Sequence, residues 1–239
     1  MGPEGLERQR PTAFDLPAQP GGLLFSHIGR LVSQKGADLI ISMLPSLMAA
    51  PNTQLVVLGS GDPQLEQALR DAAQRYPDRV AVKISYDEPL AHLVEAGSDV
   101  FLMPSRFEPC GLNQLYSLRY GTPPIVRNTG GLADSVVDAN GPNLYQHTAT
   151  GFVFERPSPR QLLRAIDRAL NLFSRKDVWK DLQLSGMKED FSWGRSASAY
   201  VELYKQVLKR RRNSPDSHST SPLAEVPEAQ AEGKKYTYP

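Results

Sequence analysis

Short apolar segments alternate with longer amphipathic ones along most of the chain. Five apolar runs have the length of a strand: LLFSHI (23–28), QLVVL (54–58), VAVKI (80–84), DVFLM (99–103) and PIV (124–126). Each run is followed by Gly, Pro or a polar residue. Several runs are apolar at consecutive positions, which is typical of strands buried on both faces of a parallel sheet.

Helical patterns fill the intervals between these strands. ADLIISMLPSLMAA (37–50) follows the first strand, and Asp62 with Pro63 provides an N-cap and a first-turn proline for PQLEQALRDAAQRY. EPLAHLVEAG (88–97) and GLNQLYSLRYG (111–121) come next, and glycine ends both. The alternation predicts βαβ units with right-handed crossovers, and therefore a doubly wound, Rossmann-like α/β fold with a parallel sheet. Ligands of such sheets bind beyond the carboxyl ends of the strands.

Only helices are predicted after the fifth strand. One apolar stripe at helical spacing comprises Leu162, Ile166, Ala169, Leu170 and Phe173. A second stripe comprises Tyr200, Leu203, Tyr204, Val207 and Leu208.

Composition divides the chain into four segments. Residues 1–22 are rich in Pro and Gly and are expected to be linker-like. Residues 213–239 contain few large apolar side chains to offset the entropy of ordering, which predicts a disordered tail. Between them we expect the Rossmann-like domain at 23–190 and a C-terminal helix at 191–212.

The charge balance and the single cysteine restrict the class of protein. With 27 basic and 26 acidic residues the net charge is +1, which argues against nucleic-acid binding. One cysteine cannot form an internal disulfide, which fits a reducing compartment. No apolar run approaches the length of a membrane span, and the N-terminus lacks a signal-peptide core. We therefore expect a cytoplasmic protein that binds neither nucleic acid nor membrane.

The loop GRLVSQKG (29–36) comes directly after the first strand. Arg30 and Lys35 would stand at the strand end, and Gly36 would allow a sharp turn into the next helix. Two cations beside a helix N-terminus suit a diphosphate, whose charge the helix dipole also favours. The alternative is an ordinary surface loop with solvated cations.

Two further strand ends carry weaker signals. GSGD (59–62) resembles a dinucleotide-binding fingerprint, but Gln64 occupies the third glycine position, so we interpret it as a tight turn close to a ligand. Tyr86 ends the third strand. It is either a half-buried packing residue or a flat surface for a nucleobase.

The segment after the fourth strand contains Glu108 and Cys110. Glu108 either caps the helix that begins near Gly111, or binds sugar hydroxyls and stabilises positive charge at a reacting sugar carbon. No histidine stands in a cysteine-hydrolase signature, so Cys110 is expected to be a small buried thiol. His92 lies mid-helix among apolar neighbours and is interpreted as structural.

NTGGL (128–132) places two glycines at a junction between a strand and a helix. Backbone N–H groups at such a junction can approach a phosphate or sugar closely, although Gly-Gly alone is only a turn signal. No Asp-x-Asp pair and no Cys/His ligand spacing occurs, so no metal site is predicted.

Taken together, these motifs resemble one family. SRFEPCGLNQLYSLRYGTPPIVRNTGGLADSV (105–136) resembles the signature of bacterial glycogen synthases and plant starch synthases. GRLVSQKG, LGSGDP, SYDEPLAH and DFSW match the same family in order, and the resemblance covers about residues 23–208. It implies the carboxy-terminal half of a retaining, metal-independent glucosyltransferase of the two-domain GT-B type. Such enzymes transfer glucose from ADP-glucose to an α-1,4-glucan, which is glycogen or starch.

The resemblance also implies roles for individual residues. Arg30 and Lys35 would hold the diphosphate, and Glu108 would lie under the transferred glucose. Tyr86 would stack on adenine. The remaining implied donor-site residues are Cys110, Gly111, Leu112, Thr129, Gly130, Gly131 and Leu132. No cofactor is implied besides the donor substrate, and the location would be cytoplasmic, or plastidial in a plant or alga.

Two departures from the family pattern matter. Related retaining transferases carry a Glu-x7-Glu pair, whose second position here is Tyr116, as is usual in the glycogen synthase branch. The family's amino-terminal half is absent from the sequence, so the resemblance implies the donor side only. We expect the isolated chain to be inactive, and to self-associate or dock onto an amino-terminal half through the second apolar stripe. A non-catalytic binding fragment and a transferase that uses UDP-sugars remain the alternatives.

Overall fold

Six parallel strands form the sheet at the centre of the fold. The structure, a computed structural model, describes residues 14–19 and 21–213, so most of the predicted linker and nearly all of the predicted tail lie outside the described residues. The strands are β1 Leu23–Ile28, β2 Thr53–Gly59, β3 Val80–Ile84, β4 Val100–Met103, β5 Pro124–Arg127 and β6 Phe152–Phe154. Their order in the sheet is β3-β2-β1-β4-β5-β6. The doubly wound α/β fold is confirmed.

Helices connect the strands and continue beyond them. They are α1 Ala37–Ala49, α2 Pro63–Arg75, α3 Glu88–Gly97, α4 Asn113–Arg119, α5 Gly130–Ser135, α6 Gly141–Tyr145, α7 Pro159–Phe173, α8 Lys176–Lys188 and α9 Trp193–Asn213. A 3-10 turn, Ser33–Lys35, precedes α1. The predicted N-cap of α2 is present, because the Asp62 carboxylate accepts hydrogen bonds from the N–H groups of Gln64 and Leu65.

Strand β6 corrects the prediction that only helices follow the fifth strand. Its three residues pair in parallel with β5, and Phe152 lies opposite Ile125. A run this short carries no period from which to recognise a strand. Its pairing with the edge of the sheet determines the conformation.

Both faces of the sheet are covered. Phe25 and Leu55 lie in the larger core cluster with residues of α1 and α7. Leu24 and Val56 lie in a second cluster with residues of α3. Phe14 is buried in that second cluster, although it belongs to the segment interpreted as linker-like. A single apolar residue in a Pro-rich segment shows no period that would indicate its burial.

The strand order places the loops that bear the candidate residues side by side. β1 pairs with β2 on one side and with β4 on the other. The direction of strand addition therefore reverses between β1 and β4, and the crevice at their carboxyl ends is the usual ligand position in such folds. The loops at 29–36 and 104–112 leave the sheet at this crevice.

The chain divides after Asp190 into a second unit that contains α9. Tyr200, Leu203, Tyr204, Val207 and Leu208 occupy positions three and four residues apart on α9. Within its own unit, no other described element covers this stripe.

Gly36 permits the turn by which the loop at 29–36 leads into α1. Its φ is +80°, and a Cβ at this position would collide with the carbonyl oxygen of Pro104. We expect Gly36→Ala to lower the free energy of unfolding by about 2–5 kcal/mol through backbone strain and steric overlap. Urea unfolding measures this effect. Gly141→Ala is the matched control, because nothing lies within 4 Å of a Cβ there; equal stability of the two variants would contradict the prediction.

Candidate active site

An open pocket of about 580 Å³ lies at the carboxyl ends of the strands. Its wall is formed by the loops after β1, β2, β3 and β4 and by one side of α3. Of the predicted site residues, six line it: Arg30, Lys35, Tyr86, Glu108, Gly111 and Leu112. The volume lies in the range of pockets that bind small molecules and cofactors.

An ion pair joins the two central loops inside this pocket. Lys35 Nζ lies 2.5 Å from Glu108 Oε2. Ser105 Oγ donates a second hydrogen bond to the same oxygen at 3.2 Å. Glu108 is only 6 % exposed, so its carboxylate depends on these two partners in place of water. The pair brings together two residues that the sequence assigned to separate roles.

Contacts with three neighbouring elements fix the loop that carries Glu108. The guanidinium of Arg106 donates to both Asp38 carboxylate oxygens, at 2.7 and 2.6 Å, and these bonds raise its pKa. Arg127 of β5 donates from Nε to the carbonyl oxygen of Ser105 at 2.9 Å. Gln34 Nε2 donates to the carbonyl oxygen of Phe107 at 3.0 Å. The loop is therefore held from α1, from β5 and from the 3-10 turn.

Arg30 lies exposed at the pocket, and its guanidinium donates to Gln34 Oε1 at 3.1 Å. The same Gln34 side chain contacts the Glu108 loop, so Arg30 is positioned relative to the Lys35–Glu108 pair. Two cationic groups and one buried carboxylate thus share a single pocket.

Tyr86 stands at the pocket with 87 % of its surface exposed. The interpretation as a half-buried packing residue is therefore wrong. Asp87 next to it caps α3 by accepting a hydrogen bond from the N–H of Leu90 at 3.0 Å. An exposed aromatic ring beside a fixed helix end offers a flat surface for stacking.

The glycines of GSGD (59–62) allow the loops after β1 and β2 to lie close together. A Cβ on Gly59 would collide with the carbonyl oxygen of Gly29, and one on Gly61 would collide with that of Leu31. These glycines therefore allow the loops after β1 and β2 to approach closely, whereas residues 59–62 themselves form no turn. Gly59 and Ser60 line the pocket.

The turn at 129–132 supports the Glu108 loop from outside the pocket. The Gly131 N–H donates to the carbonyl oxygens of Glu108 and Pro109 at 3.1 Å each. A Cβ on Gly130 would collide with the Glu108 carbonyl oxygen. Leu132 is fully buried in a cluster with Phe101 and Met103. Neither Gly130, Gly131, Leu132 nor Thr129, the N-cap of α5, is among the pocket-lining residues.

Cys110 is exposed, which corrects the prediction of a buried thiol. It follows Pro109 in an irregular loop, whose side chains have no periodic face to bury. Its backbone carbonyl accepts a hydrogen bond from Gln114 Nε2 at 3.0 Å. Cys110 does not line the pocket, whereas its neighbour Gly111 does.

His92 lines the pocket and also packs against α4. Its ring lies edge-on to Tyr116 at 5.3 Å, and its Nδ1 is 3.3 Å from the Tyr120 hydroxyl. The interpretation of His92 as a structural residue is therefore incomplete, because His92 also lines the pocket.

Sequence reasoning missed two buried ionisable residues of the pocket. His27 is 3 % exposed, and its Nδ1 lies 2.9 Å from the carbonyl oxygen of Leu102. Burial lowers the pKa of His27, the Leu102 hydrogen bond raises it, and the charge of Lys35 lowers it further. Glu95 is 1 % exposed, and burial raises its pKa to about 8. The sequence signal that could have identified both residues is a polar side chain inside an otherwise apolar strand or helix pattern.

In the part of the chain that the structure describes, no cluster of three or more His, Cys, Asp or Glu side chains is arranged to hold a metal ion. No described helix is both long and apolar enough to cross a membrane.

A family model described as glycosyl transferases group 1 matches residues 9–181. The glycogen synthase of Thioalkalivibrio sulfidiphilus is 55 % identical over 195 residues, which are 82 % of this chain and 40 % of that protein. Glycogen synthase 1 of Methylococcus capsulatus is 53 % identical over 213 residues, covering 87 % of this chain and 43 % of the relative. The chain therefore spans about two fifths of the length of these relatives.

Solved structures show the same architecture. The catalytic domain of starch synthase IV from Arabidopsis thaliana, bound to ADP and acarbose, superposes with a TM-score of 0.73 and 36 % identity. The match covers 83 % of this chain and 41 % of that one. The sucrose-phosphate synthase of Thermosynechococcus elongatus, with a TM-score of 0.57 and 23 % identity over 85 % of this chain and 52 % of that one, shares the fold.

The raised pKa of Glu95 predicts a pH dependence of stability. The folded chain keeps this carboxyl protonated up to about pH 8, whereas its ordinary value is 4.5. Between these values the unfolded state binds fewer protons, so the free energy of unfolding falls as pH rises. Glu95→Gln removes this dependence. We expect the free energy of unfolding of Glu95→Gln, minus that of the wild type, to increase by a few kcal/mol between pH 5 and pH 8.

Urea unfolding at several pH values measures this difference. Glu88→Gln, an exposed position on the same helix, is the control and should show no such growth, because its side chain is solvated. A difference between Glu95→Gln and the wild type that stays constant with pH would refute the prediction.

Proposed function

This chain belongs to the glycosyl transferases group 1 family, and we propose that it is the donor-binding half of a retaining glycogen or starch synthase. In this proposal the pocket binds ADP-glucose, and glucose passes to the non-reducing end of an α-1,4-glucan. The observation that carries the proposal is the ion pair of Lys35 with the buried Glu108 at the carboxyl ends of β1 and β4. The similarity to glycogen synthases over most of the chain supports it.

Arg30 and Lys35 would bind the diphosphate. Both belong to the loop at 29–36 and line the pocket, and Gln34 of the same loop accepts a hydrogen bond from Arg30. When the glycosidic bond to the phosphate breaks, negative charge develops on the departing diphosphate. Cations that are already in place stabilise this charge without reorganisation. Tyr86 would offer its exposed ring to the adenine.

Glu108 would lie beneath the transferred glucose. Positive charge develops at the sugar carbon as the diphosphate leaves, and a carboxylate of low exposure stabilises that charge strongly. Lys35 and Ser105 hold the carboxylate in place. The acceptor hydroxyl would attack from the face that the diphosphate leaves, which gives retention without a covalent bond to Glu108. Tyr116 at the other end of the Glu-x7-Glu spacing cannot act as a second carboxylate.

Acceptor binding belongs to residues outside these 239. The chain matches about two fifths of its relatives' length, and in this proposal the remaining part of such an enzyme binds the glucan. Transfer therefore requires an amino-terminal half, either joined to this segment or docked onto it. A chain that binds ADP-glucose but never transfers glucose, even with such a half, would instead be a binding module.

Lys35→Ala tests the donor site. Loss of a charge-assisted phosphate contact costs about 1.5–3 kcal/mol, which corresponds to about ten-fold or more in ADP affinity. Calorimetric titration with ADP and with UDP measures both the affinity and the base preference. Lys176→Ala on α8 is the control, because that side chain packs over the Phe173 ring and does not line the pocket. Equal ADP affinities of the two variants would remove Lys35 from the site.

Glu108→Gln tests the transfer step. The amide keeps the shape of the side chain and removes its charge, so ADP affinity should stay nearly unchanged while glucose incorporation falls by about 100-fold or more. The assay measures radiolabelled glucose entering glycogen, with the chain combined with the amino-terminal half of the Thioalkalivibrio sulfidiphilus relative. Glu155→Gln is the control, because Glu155 is exposed and does not line the pocket. Near wild-type incorporation by Glu108→Gln would show that Glu108 has only a structural role.

A further inference from the structure

Three buried polar atoms of the pocket have no hydrogen-bond partner among the residues that the structure describes. They are His27 Nε2, Ser85 Oγ and Glu95 Oε2, and all three residues line the same cavity. Buried polar groups are normally paired, so unpaired ones gathered at one cavity indicate that a polar ligand completes them. His27 is the member whose surroundings define its hydrogen-bonding role.

A hydrogen bond to the backbone fixes the tautomer of His27. The Leu102 carbonyl oxygen can only accept, so the Nδ1 atom 2.9 Å away must carry the proton and donate it. In the neutral ring, Nε2 is then left with a lone pair and no proton. Burial and the charge of Lys35 both lower the pKa of His27 and favour this neutral form. The pocket therefore presents a fixed acceptor at Nε2.

An acceptor of this kind discriminates between the parts of a nucleotide sugar. Phosphate oxygens that carry negative charge are acceptors too, so they gain nothing from Nε2. A hydroxyl group can donate to it. His27 lies within the electrostatic reach of Lys35, which itself contacts Glu108. The neighbourhood is the one that the proposed function assigns to the transferred sugar.

We propose that His27 Nε2 accepts a hydrogen bond from a hydroxyl group of the transferred sugar and so contributes to donor specificity. This inference rests on the proposed function. His27 lies near the end of β1, where the Leu102 carbonyl oxygen of the neighbouring strand β4 holds its ring. It would distinguish the intact donor from the nucleoside diphosphate product, because only the donor carries that sugar.

Titration calorimetry with ADP and with ADP-glucose tests this assignment. His27→Phe keeps a planar ring and removes Nε2. We expect it to leave ADP affinity unchanged and to weaken ADP-glucose binding by about five-fold, the effect of one neutral hydrogen bond. His147→Asn is the control, because His147 lies outside this pocket and asparagine tolerates its positive φ of 55°. Equal effects of His27→Phe on both ligands, or no effect on either, would overturn the inference.

Nitrogen NMR of the wild-type chain gives a test that does not depend on the folding of a variant. The chain contains four histidines, and single substitutions of the other three assign the His27 signals by elimination. ADP-glucose should shift the His27 Nε2 resonance toward that of a hydrogen-bonded acceptor, whereas ADP should not, and Nδ1 should stay protonated with both. A resonance that saturating ADP-glucose leaves unmoved would overturn the inference.

The outcomes separate the inference from the proposed function. If ADP and ADP-glucose bind but His27 makes no difference between them, the inference alone fails. If the wild-type chain binds neither ligand, the proposed function fails and the inference fails with it.

Discussion

The ion pair between Lys35 and Glu108 is the interaction on which the rest of the site depends. Its two members lie 73 residues apart in sequence and follow two strands that are neighbours only because the strand order reverses between β1 and β4. Burial makes Lys35 necessary to Glu108, because a carboxylate with so little access to water needs a cation or donors beside it. The fold therefore supports the pair, and the pair fixes the relative position of the loops after β1 and β4, which are two of the loops that line the pocket.

The two buried carboxyl groups of the pocket differ in their hydrogen-bond partners. Glu108 has Lys35 and Ser105 as partners, whereas nothing in the described part of the chain pairs with Glu95 Oε2, and burial alone raises the pKa of Glu95. One carboxyl is thereby held by a cation and a hydroxyl donor, and the other is kept neutral near physiological pH because burial raises its pKa. With the acceptor atom of His27, the pocket combines a charged part and a neutral hydrogen-bonding part.

Sequence reasoning recovered the fold and the loops at the strand ends, because hydrophobic period and glycine punctuation are local signals. It did not recover strand β6, whose conformation comes from pairing with β5. It named Lys35 and Glu108 but not their contact, since a separation of 73 residues leaves no local trace. His27 and Glu95 were missed because each sits within an apolar pattern, where burial is expected and a polar role is not.

The way in which the Glu108 loop is held has a consequence for the evolution of this surface. Its anchors are mainly backbone carbonyl groups, those of Ser105, Phe107 and Glu108, which bind to other elements whatever side chains the loop carries. Phe107 is 61 % exposed and Cys110 is exposed as well. These two positions can therefore exchange side chains without displacing the buried carboxylate. The exposed surface of this loop is free to diverge among descendants while the buried carboxylate stays in place.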